Sequence, residues 1–502
     1  MKFEVKDKSI LIIFIIALIS LNLFYFPKIY ASGDESAYLK NSYLLQQGNL
    51  VMKDPEYACG ASPTDNGFVI GRFIGKSIFL IPFTWLGLMG IMLSGLVTHL
   101  INFFLIYLIL RKLKYNPLNS LLYLFVPVIV WESRTLYTEI LALTFLLAAF
   151  YFYVSEKNQR HWLYSGLFFG LAMSVRYDAI MGFASFFIPA IIKNKDKAAR
   201  LIFGFAPIAI TIFLLNKILL GSFLSTGYGQ SNTALNLFLS IFTNMHIETL
   251  VISVFILAIF YPLLIISPYF VKNFPCKLEL ALFTLSYLLL NATFTDFLVF
   301  DLSITSMFSY RLRYLVPLIG LLIVPYANLF EELLLKITKK IRLNKQIAVI
   351  CIFMLLLLGS AAIAVVHGNF LDKRFELLGQ IQKNIPEKSL TIGSADDCMY
   401  FISPLFGDRK YVRVDLSTDF SPKYSSEDIY SLIDEQLKQN NLVYIMDLYY
   451  SNILGNAGSR KTGTIDKERA KIKEFIEKNK NNLTLVYETE KPHVLNIYKF
   501  SK

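Results

Sequence analysis

The sequence predicts a multi-pass α-helical membrane protein: about 11 transmembrane helices, N-terminus in, C-terminus out, and a small C-terminal α/β extracytoplasmic domain. Three observations carry this prediction. The 502-residue chain is 55% hydrophobic and only 17% charged, against about 25% charged in soluble domains. Apolar runs recur between residues 9 and 366, many of them near the roughly 20 residues that cross a hydrocarbon core. From Phe370 onward the composition is that of a soluble domain, with 20 Lys/Arg against 19 Asp/Glu.

The first element is the run Ile10–Phe26, preceded by Lys2, Lys6 and Lys8. A cleavable signal peptide competes for this segment. The run is long for such a peptide and many apolar runs follow it, which favours an uncleaved helix with a cytoplasmic N-terminus. Further spans fall near 88–110, 117–131, 137–154, 161–175, 179–192, 201–220, 247–270, 279–298, 314–333 and 347–366. The connections at 111–114, 157–160, 193–200, 272–277 and 336–345 are rich in Lys and Arg. They obey the positive-inside rule and orient the bundle. The net charge of +12 therefore reports topology and argues against a nucleic-acid partner.

On the opposite side, 31–77 and 221–246 are long connections, the second containing Gly227-Tyr228-Gly229-Gln230. Loops of this length are commonly functional. In the C-terminal part, Ser389–Gly393, Tyr411–Asp415, Asn441–Asp447, Leu483–Glu488 and Val494–Phe500 read as strands. Ser426–Gln439 and Asp466–Asn479 read as helices. The expected division is a transmembrane domain over 1–369 and a soluble domain over 370–502.

Little in the chain points to a bound metal. The cysteines (Cys59, Cys276, Cys351, Cys398) form no CxxC, and the five histidines show no metal-ligand spacing. Spacing alone does not pair Cys59 with Cys398. His99 and Asn102, inside the second span, read as interhelical hydrogen-bonding residues.

The chemistry gathers at the outer ends of the spans. Ala31-Ser32-Gly33-Asp34-Glu35-Ser36-Ala37-Tyr38 sets two carboxylates directly after the first helix. Ser32-x-x-Glu35 fits a capping box opening a helix on the membrane surface, which accounts for Glu35 better than for Asp34. The functional reading makes Asp34 a general base that takes the proton of a hydroxyl attacking a sugar C1, with Glu35 orienting the acceptor or Asp34. Arg72 and Lys76 are four residues apart and share a helix face. They either snorkel to lipid headgroups or clamp a lipid phosphate that gains charge as it leaves. Glu132, Arg134, Glu139, Arg176, Asp178, Asp296, Asp301, Arg311 and Arg313 lie at the same ends. Glu139 and Arg176 sit nearest the apolar runs and most need partners; a structural ion pair is the alternative for each.

Taken together, these residues resemble the GT-C superfamily of polyprenyl-phosphate-dependent glycosyltransferases, nearest the protein O-mannosyltransferase and aminoarabinose-transferase branch. The resemblance covers residues 1–369. It rests on Gly33-Asp34-Glu35-x-x-Tyr38, the stretch ending at Lys76, Thr138-Glu139, Val175-Arg176-Tyr177-Asp178 and Arg313-Tyr314-Leu315-Val316-Pro317. Gly75-Lys76-Ser77-Ile78 stands where the family commonly carries Lys-Pro-Pro.

The resemblance implies a polyprenyl-phosphate sugar donor, a hydroxyl-bearing acceptor (protein, lipid or glycan), and inversion at C1 on the outer face of the cytoplasmic membrane. It makes Asp34 the catalytic base with Glu35 beside it. It gives the phosphate to Lys76 with Arg72 or Arg313, and adds Tyr38, Glu139 and Arg176 to the substrate site. An obligatory divalent metal is not favoured, because no second acidic pair such as DxD appears. The competing function is a transporter or flippase of lipid-linked sugars. Transporters usually carry internal repeats and midplane charges; here the charges gather at one face.

Overall fold

The computed structural model describes residues 5–30, 32–53, 61–64, 66–71, 73–155, 158–225, 245–272, 274–293, 308, 312–340, 344–393, 401, 405, 407–413, 426–449, 470–489 and 494–501. Arg72, Asp296, Asp301, Arg311, Cys59, Cys398 and the Gly227–Gln230 segment lie outside them.

The bundle begins with α1 (Val5–Phe24), α2 (Gly33–Gln46), α3 (Ile74–Thr84) and α4 (Gly87–Lys112). It continues through α5 (Leu121–Leu124), α6 (Pro127–Glu132), α7 (Glu139–Tyr153), α8 (Gln159–Val175), α9 (Ala179–Lys193) and α10 (Lys195–Leu220). Then come α11 (Ile247–Phe260), α12 (Ser267–Phe270), α13 (Lys277–Asn291), α14 (Val316–Lys340) and α15 (Lys345–Asn384). Among the described residues four helices are long and apolar enough to cross a membrane: Gly87–Lys112, Lys195–Leu220, Arg313–Lys340 and Ile347–Asn384. Shorter apolar helices, such as Glu139–Tyr153 and Ala179–Lys193, pack among them. The segment expected to span at 117–131 is a 3-10 turn followed by α5 and α6. Pro117 and Pro127 each stand at a helical start, where a missing N–H costs nothing and a continuous helix cannot pass.

Small residues bring the bundle helices close. A Cβ on Gly166 would overlap the Leu201 carbonyl, and one on Gly204 would overlap that of Leu163, so α8 and α10 touch backbone to backbone. Gly95 of α4 lies in the same way against the Ser133 and Thr135 carbonyls. That contact seats the buried segment 133–138 between α6 and α7. Asn102 donates to the Ile140 carbonyl at 3.0 Å, so it bonds between helices as its position suggests.

Helix α2 is not a surface helix. Glu35 through Ser42 are buried without interruption. The hairpin β1 (Ser62–Thr64) and β2 (Gly67–Val69) covers one side, where Ala37 packs with Ala61 and Ile70. Asn41 donates to the Ile70 carbonyl, and Ser42 to that of Ser77 in α3. The surrounding loops, not its own weak amphipathicity, decide its burial.

Helix α15 has 40 residues and is about 60 Å long. It runs without interruption through position 370, so the expected domain division falls inside a helix. Past it, β3 (Leu390–Gly393), β4 (Lys410–Arg413), β5 (Val443–Tyr449), β6 (Leu483–Thr489) and β7 (Val494–Phe500) form one sheet in the order β4-β3-β5-β7-β6. Strand β3 is parallel to β4 and β5; β7 is antiparallel to β5 and β6. Strands form at all five segments read as strands, with ends displaced by a residue or two. One face packs on α15 through Tyr411, Tyr444, Met446 and Ile497. The other packs on α16 (Ser426–Lys438) and the helical residues 470–479. The apolar cluster that includes α15 and the sheet also includes Tyr30, Tyr38, Phe73 and Leu136. The sheet therefore stands at the end of the bundle where the candidate residues lie.

Candidate active site

Local sequence builds the first part of the site. Ser32 is extended and its Oγ accepts from the Glu35 backbone N–H at 3.3 Å, opening α2. The reciprocal half of a capping box does not form. The Glu35 carboxylate instead accepts from the backbone N–H of Leu136 at 2.8 Å, fully buried. Glu35 thus ties α2 to segment 133–138. The side chain of Asp34 stays 30% exposed, with Oδ2 3.9 Å from Arg313 Nη2.

Glu139, at the first position of α7, is the hub. Its Oε1 is shared by Arg176 Nη1 at 2.6 Å and Arg313 Nε at 2.8 Å, and the carboxylate is fully buried. Thr138 Oγ1 accepts from Arg176 Nη1 at 3.2 Å. Arg176, just past the end of α8, turns the rest of its fork to Asp178, with Nε to Oδ1 at 2.9 Å and Nη2 to Oδ2 at 2.7 Å. Arg313 lies over the Tyr137 ring, 3.9 Å from its centroid, and donates from Nη2 to the Tyr314 hydroxyl at 3.1 Å. Arg176 is therefore fixed edge-on by directed bonds to two carboxylates, whereas Arg313 pairs with Glu139 by charge and proximity, without an aligned Nε–H bond, and lies over the Tyr137 and Tyr314 rings.

Lys76 enters from α3. Gly75 lets that helix start against α8, since a Cβ there would overlap the Ser174 side chain. Lys76 is fully buried, and its Nζ has no hydrogen-bond partner among the described residues. Burial pushes its ammonium down to about 8, against the opposing fields of Glu35, Glu139 and Glu132. A buried ammonium without a partner is costly to leave so. An anion brought within its reach would offset that cost.

Asp34, Glu139, Arg176 and Arg313 thus form one chain of ion pairs, with Glu35 anchoring its frame and Lys76 in the same field. Tyr38 packs in the apolar cluster with Leu136 and Tyr30. Tyr137, Tyr314 and the Leu136 amide were absent from the sequence-level site. Tyr137 and Tyr314 directly precede Thr138-Glu139 and follow Arg313, so a stacking partner beside each motif was the available signal. Nothing local marks a backbone amide as a carboxylate's partner.

Among the described residues no group of three or more His, Cys, Asp or Glu side chains is arranged to hold a metal ion. Chemically, the site offers a carboxylate open to a hydroxyl and cations able to receive a departing anion.

Comparison with known proteins agrees with this fold. Residues 83–219, which include Glu139, Arg176 and Asp178, match the family model described as dolichyl-phosphate-mannose-protein mannosyltransferase. No curated protein matches the sequence. Among solved structures, ArnT from Cupriavidus metallidurans bound to undecaprenyl phosphate superposes with a TM-score of 0.59 at 10% identity, over 97% of this chain and 98% of that one. Apo ArnT from the same organism gives 0.57 at 9% identity over 98% of each chain. The oligosaccharyltransferase AglB from Archaeoglobus fulgidus, in complex with an inhibitory peptide and a dolichol-phosphate, gives 0.47 at 9% identity over 88% and 69%. The chain has the fold of ArnT along nearly its whole length. The likeness to GT-C polyprenyl-phosphate-dependent glycosyltransferases holds in both the family model and the fold.

Proposed function

We propose that this protein is an integral membrane glycosyltransferase that moves a sugar from a polyprenyl-phosphate donor to a hydroxyl-bearing acceptor on the outer face of the cytoplasmic membrane. A transmembrane catalytic part over 1–369 and a soluble part over 370–502 would share the work. One observation carries the reading: a buried Lys76 ammonium, without a hydrogen-bond partner among the described residues, lies in the field of the same Glu139 that pairs with Arg313 beside Asp34.

In the reaction, Asp34 takes the proton of the acceptor hydroxyl, whose oxygen attacks C1 of the donor sugar. The C1–O bond to phosphate breaks, and the polyprenyl phosphate leaves from the opposite face, which inverts C1. The leaving phosphate gains negative charge, and Lys76 and Arg313 receive it. Pre-placed charges of this kind lower a barrier because they need no reorganisation during the step. Glu35, Arg176 and Glu139 hold the cations and the base in register. Arg72 and Tyr38 are assigned to substrate binding from their motifs.

The deciding experiment supplies purified protein in liposomes with a radiolabelled polyprenyl-phosphate sugar and a membrane extract as acceptor source. Label should move to acceptor with release of polyprenyl phosphate. Label that only changes leaflet, with the donor intact, would replace this reading with transport.

Lys76 adds a pH dependence of known sign. Its ammonium is charged below about 8, and the donor's phosphodiester does not titrate near there. Donor kcat/KM, which reports the free enzyme, should fall as pH rises through about 8. Lys76→Arg should move that limb to higher pH. Stability goes the other way. Between about 8 and 10.5 the unfolded chain binds the proton that folded Lys76 has lost, so this group stabilises the fold as pH rises. Activity lost together with melting temperature over this window would assign the limb to another group.

A further inference from the structure

Arg134 has no part in the mechanism above, yet it is among the largest fully buried side chains in the molecule. It sits inside segment 133–138, whose other members hold the site. The Leu136 amide holds Glu35, the Tyr137 ring carries Arg313, and Thr138 accepts from Arg176. The contacts of Arg134 lead elsewhere. Its Nε donates to His367 Nδ1 at 3.3 Å, and its Nη2 donates to the Tyr25 carbonyl just past α1. Because Nδ1 accepts, His367 is neutral with its proton on Nε2. The Trp131 ring backs the imidazole, with centroids 4.3 Å apart.

Among the described residues no carboxylate is within ion-pair range of this guanidinium, and Nη1 has no partner. An apolar side chain would fill such a place at less cost. The arginine spans three elements that an apolar side chain would only touch.

His367 lies on α15, and α15 carries the C-terminal sheet. Leu377, Leu378, Ile381 and Ile385 pack against Tyr411, Tyr444, Met446 and Leu448. Arg409, beside β4, donates from Nε to the Ile385 carbonyl at 2.7 Å and from Nη2 to that of Gln382 at 3.4 Å, pinning the helix end. From His367 to Ile385 is about 27 Å of helix. The same rod is thus tied to the sheet at one end and to the catalytic segment through Arg134.

Building on the proposed transferase reading, we propose that Arg134 is a positioning residue: its joint with His367 holds segment 133–138, and with it Glu35 and Arg313, in register with the helix that carries the C-terminal sheet. Acceptor engaged by the sheet and donor held in the bundle would then meet in a fixed geometry.

The test compares His367→Phe, which removes the acceptor nitrogen, with His367→Gln, whose amide oxygen can take the same N–H. His367→Phe should lower kcat per folded protein by roughly ten- to a hundredfold through misplacement of the site, with donor KM little changed and melting temperature lowered, because a buried donor loses its acceptor. His367→Gln should restore kcat to within a few-fold. Amide hydrogen exchange at 133–138 should quicken in the Phe variant and return toward wild type in the Gln variant. If His367→Phe does not fold, Arg134→Lys, which keeps the charge and loses the fork, replaces it with the same expectations.

Unchanged kcat and exchange would overturn the joint, as would a Gln variant no better than Phe. If wild-type protein transfers no sugar from any polyprenyl-phosphate donor, the transferase reading fails, and the exchange measurement still decides the joint.

Discussion

Asp34→Asn is expected to cut kcat for sugar transfer by about 10²–10⁴-fold, the usual contribution of a positioned general base, with donor KM little changed. The reason lies in what the substitution leaves alone. The start of α2 rests on the Ser32 hydroxyl and the Glu35 amide, and its attachment to the bundle rests on the Glu35 carboxylate and the Leu136 amide. None of these uses the Asp34 carboxylate. Arg313 keeps Glu139 at 2.8 Å, and Lys76 keeps its place, so the cationic side of the site persists. Asparagine fills the same space and cannot accept a proton. The measurement is initial-rate transfer at saturating donor, beside donor binding to each protein. Equal transfer by wild type and Asp34→Asn would remove Asp34 from the chemistry. A loss confined to donor binding would recast it as a ligand of the substrate.

The parts of this molecule legible in the sequence are those whose cause is local. The cap at Ser32 needs only three neighbouring residues, and the strands of the C-terminal sheet alternate or run apolar between turn residues. The end of the bundle where the charges gather follows from where the apolar runs stop. Two features were not legible. The burial of α2 comes from the β1–β2 hairpin, α3 and the apolar cluster that reaches the C-terminal sheet, which meet it from distant parts of the chain. No periodicity within Ser36–Gln46 reports that.

The second is the sharing of one oxygen of Glu139 between Arg176 and Arg313. Either arginine alone suggests an ordinary ion pair, and only the packing of α7, α8 and the start of α14 makes one carboxylate serve both. Arg176 is likewise bound up in contacts that its motif does not report. Two of its three nitrogens are taken up by Asp178 and the third by Glu139 and Thr138, so most of its donor capacity is spent within the protein.

That sharing makes Glu139→Gln the more damaging change to the fold. Glutamine keeps the shape and an oxygen acceptor but not the charge. Removing one member of a buried ion pair typically costs about 3–5 kcal/mol, because the partner is left charged and dry. Arg176 retains Asp178 at 2.7 Å. Among the described carboxylates Arg313 retains Asp34 alone, at 3.9 Å and partly exposed, beside its neutral contacts with Tyr137 and Tyr314, so it bears most of the loss. It is then drawn toward Asp34, and a base held in an ion pair is less able to take a proton. Both melting temperature and transfer rate should therefore fall, with transfer falling further than the loss of folded protein explains. A charge-balanced double variant separates the causes. Glu139→Gln with Arg176→Gln removes one charge of each sign, so its destabilisation should be smaller than the sum of the single variants, by roughly 0.5–3 kcal/mol for groups in one network. Strict additivity, or a Glu139→Gln protein that melts and transfers like wild type, would show that the shared oxygen does not hold the two arginines.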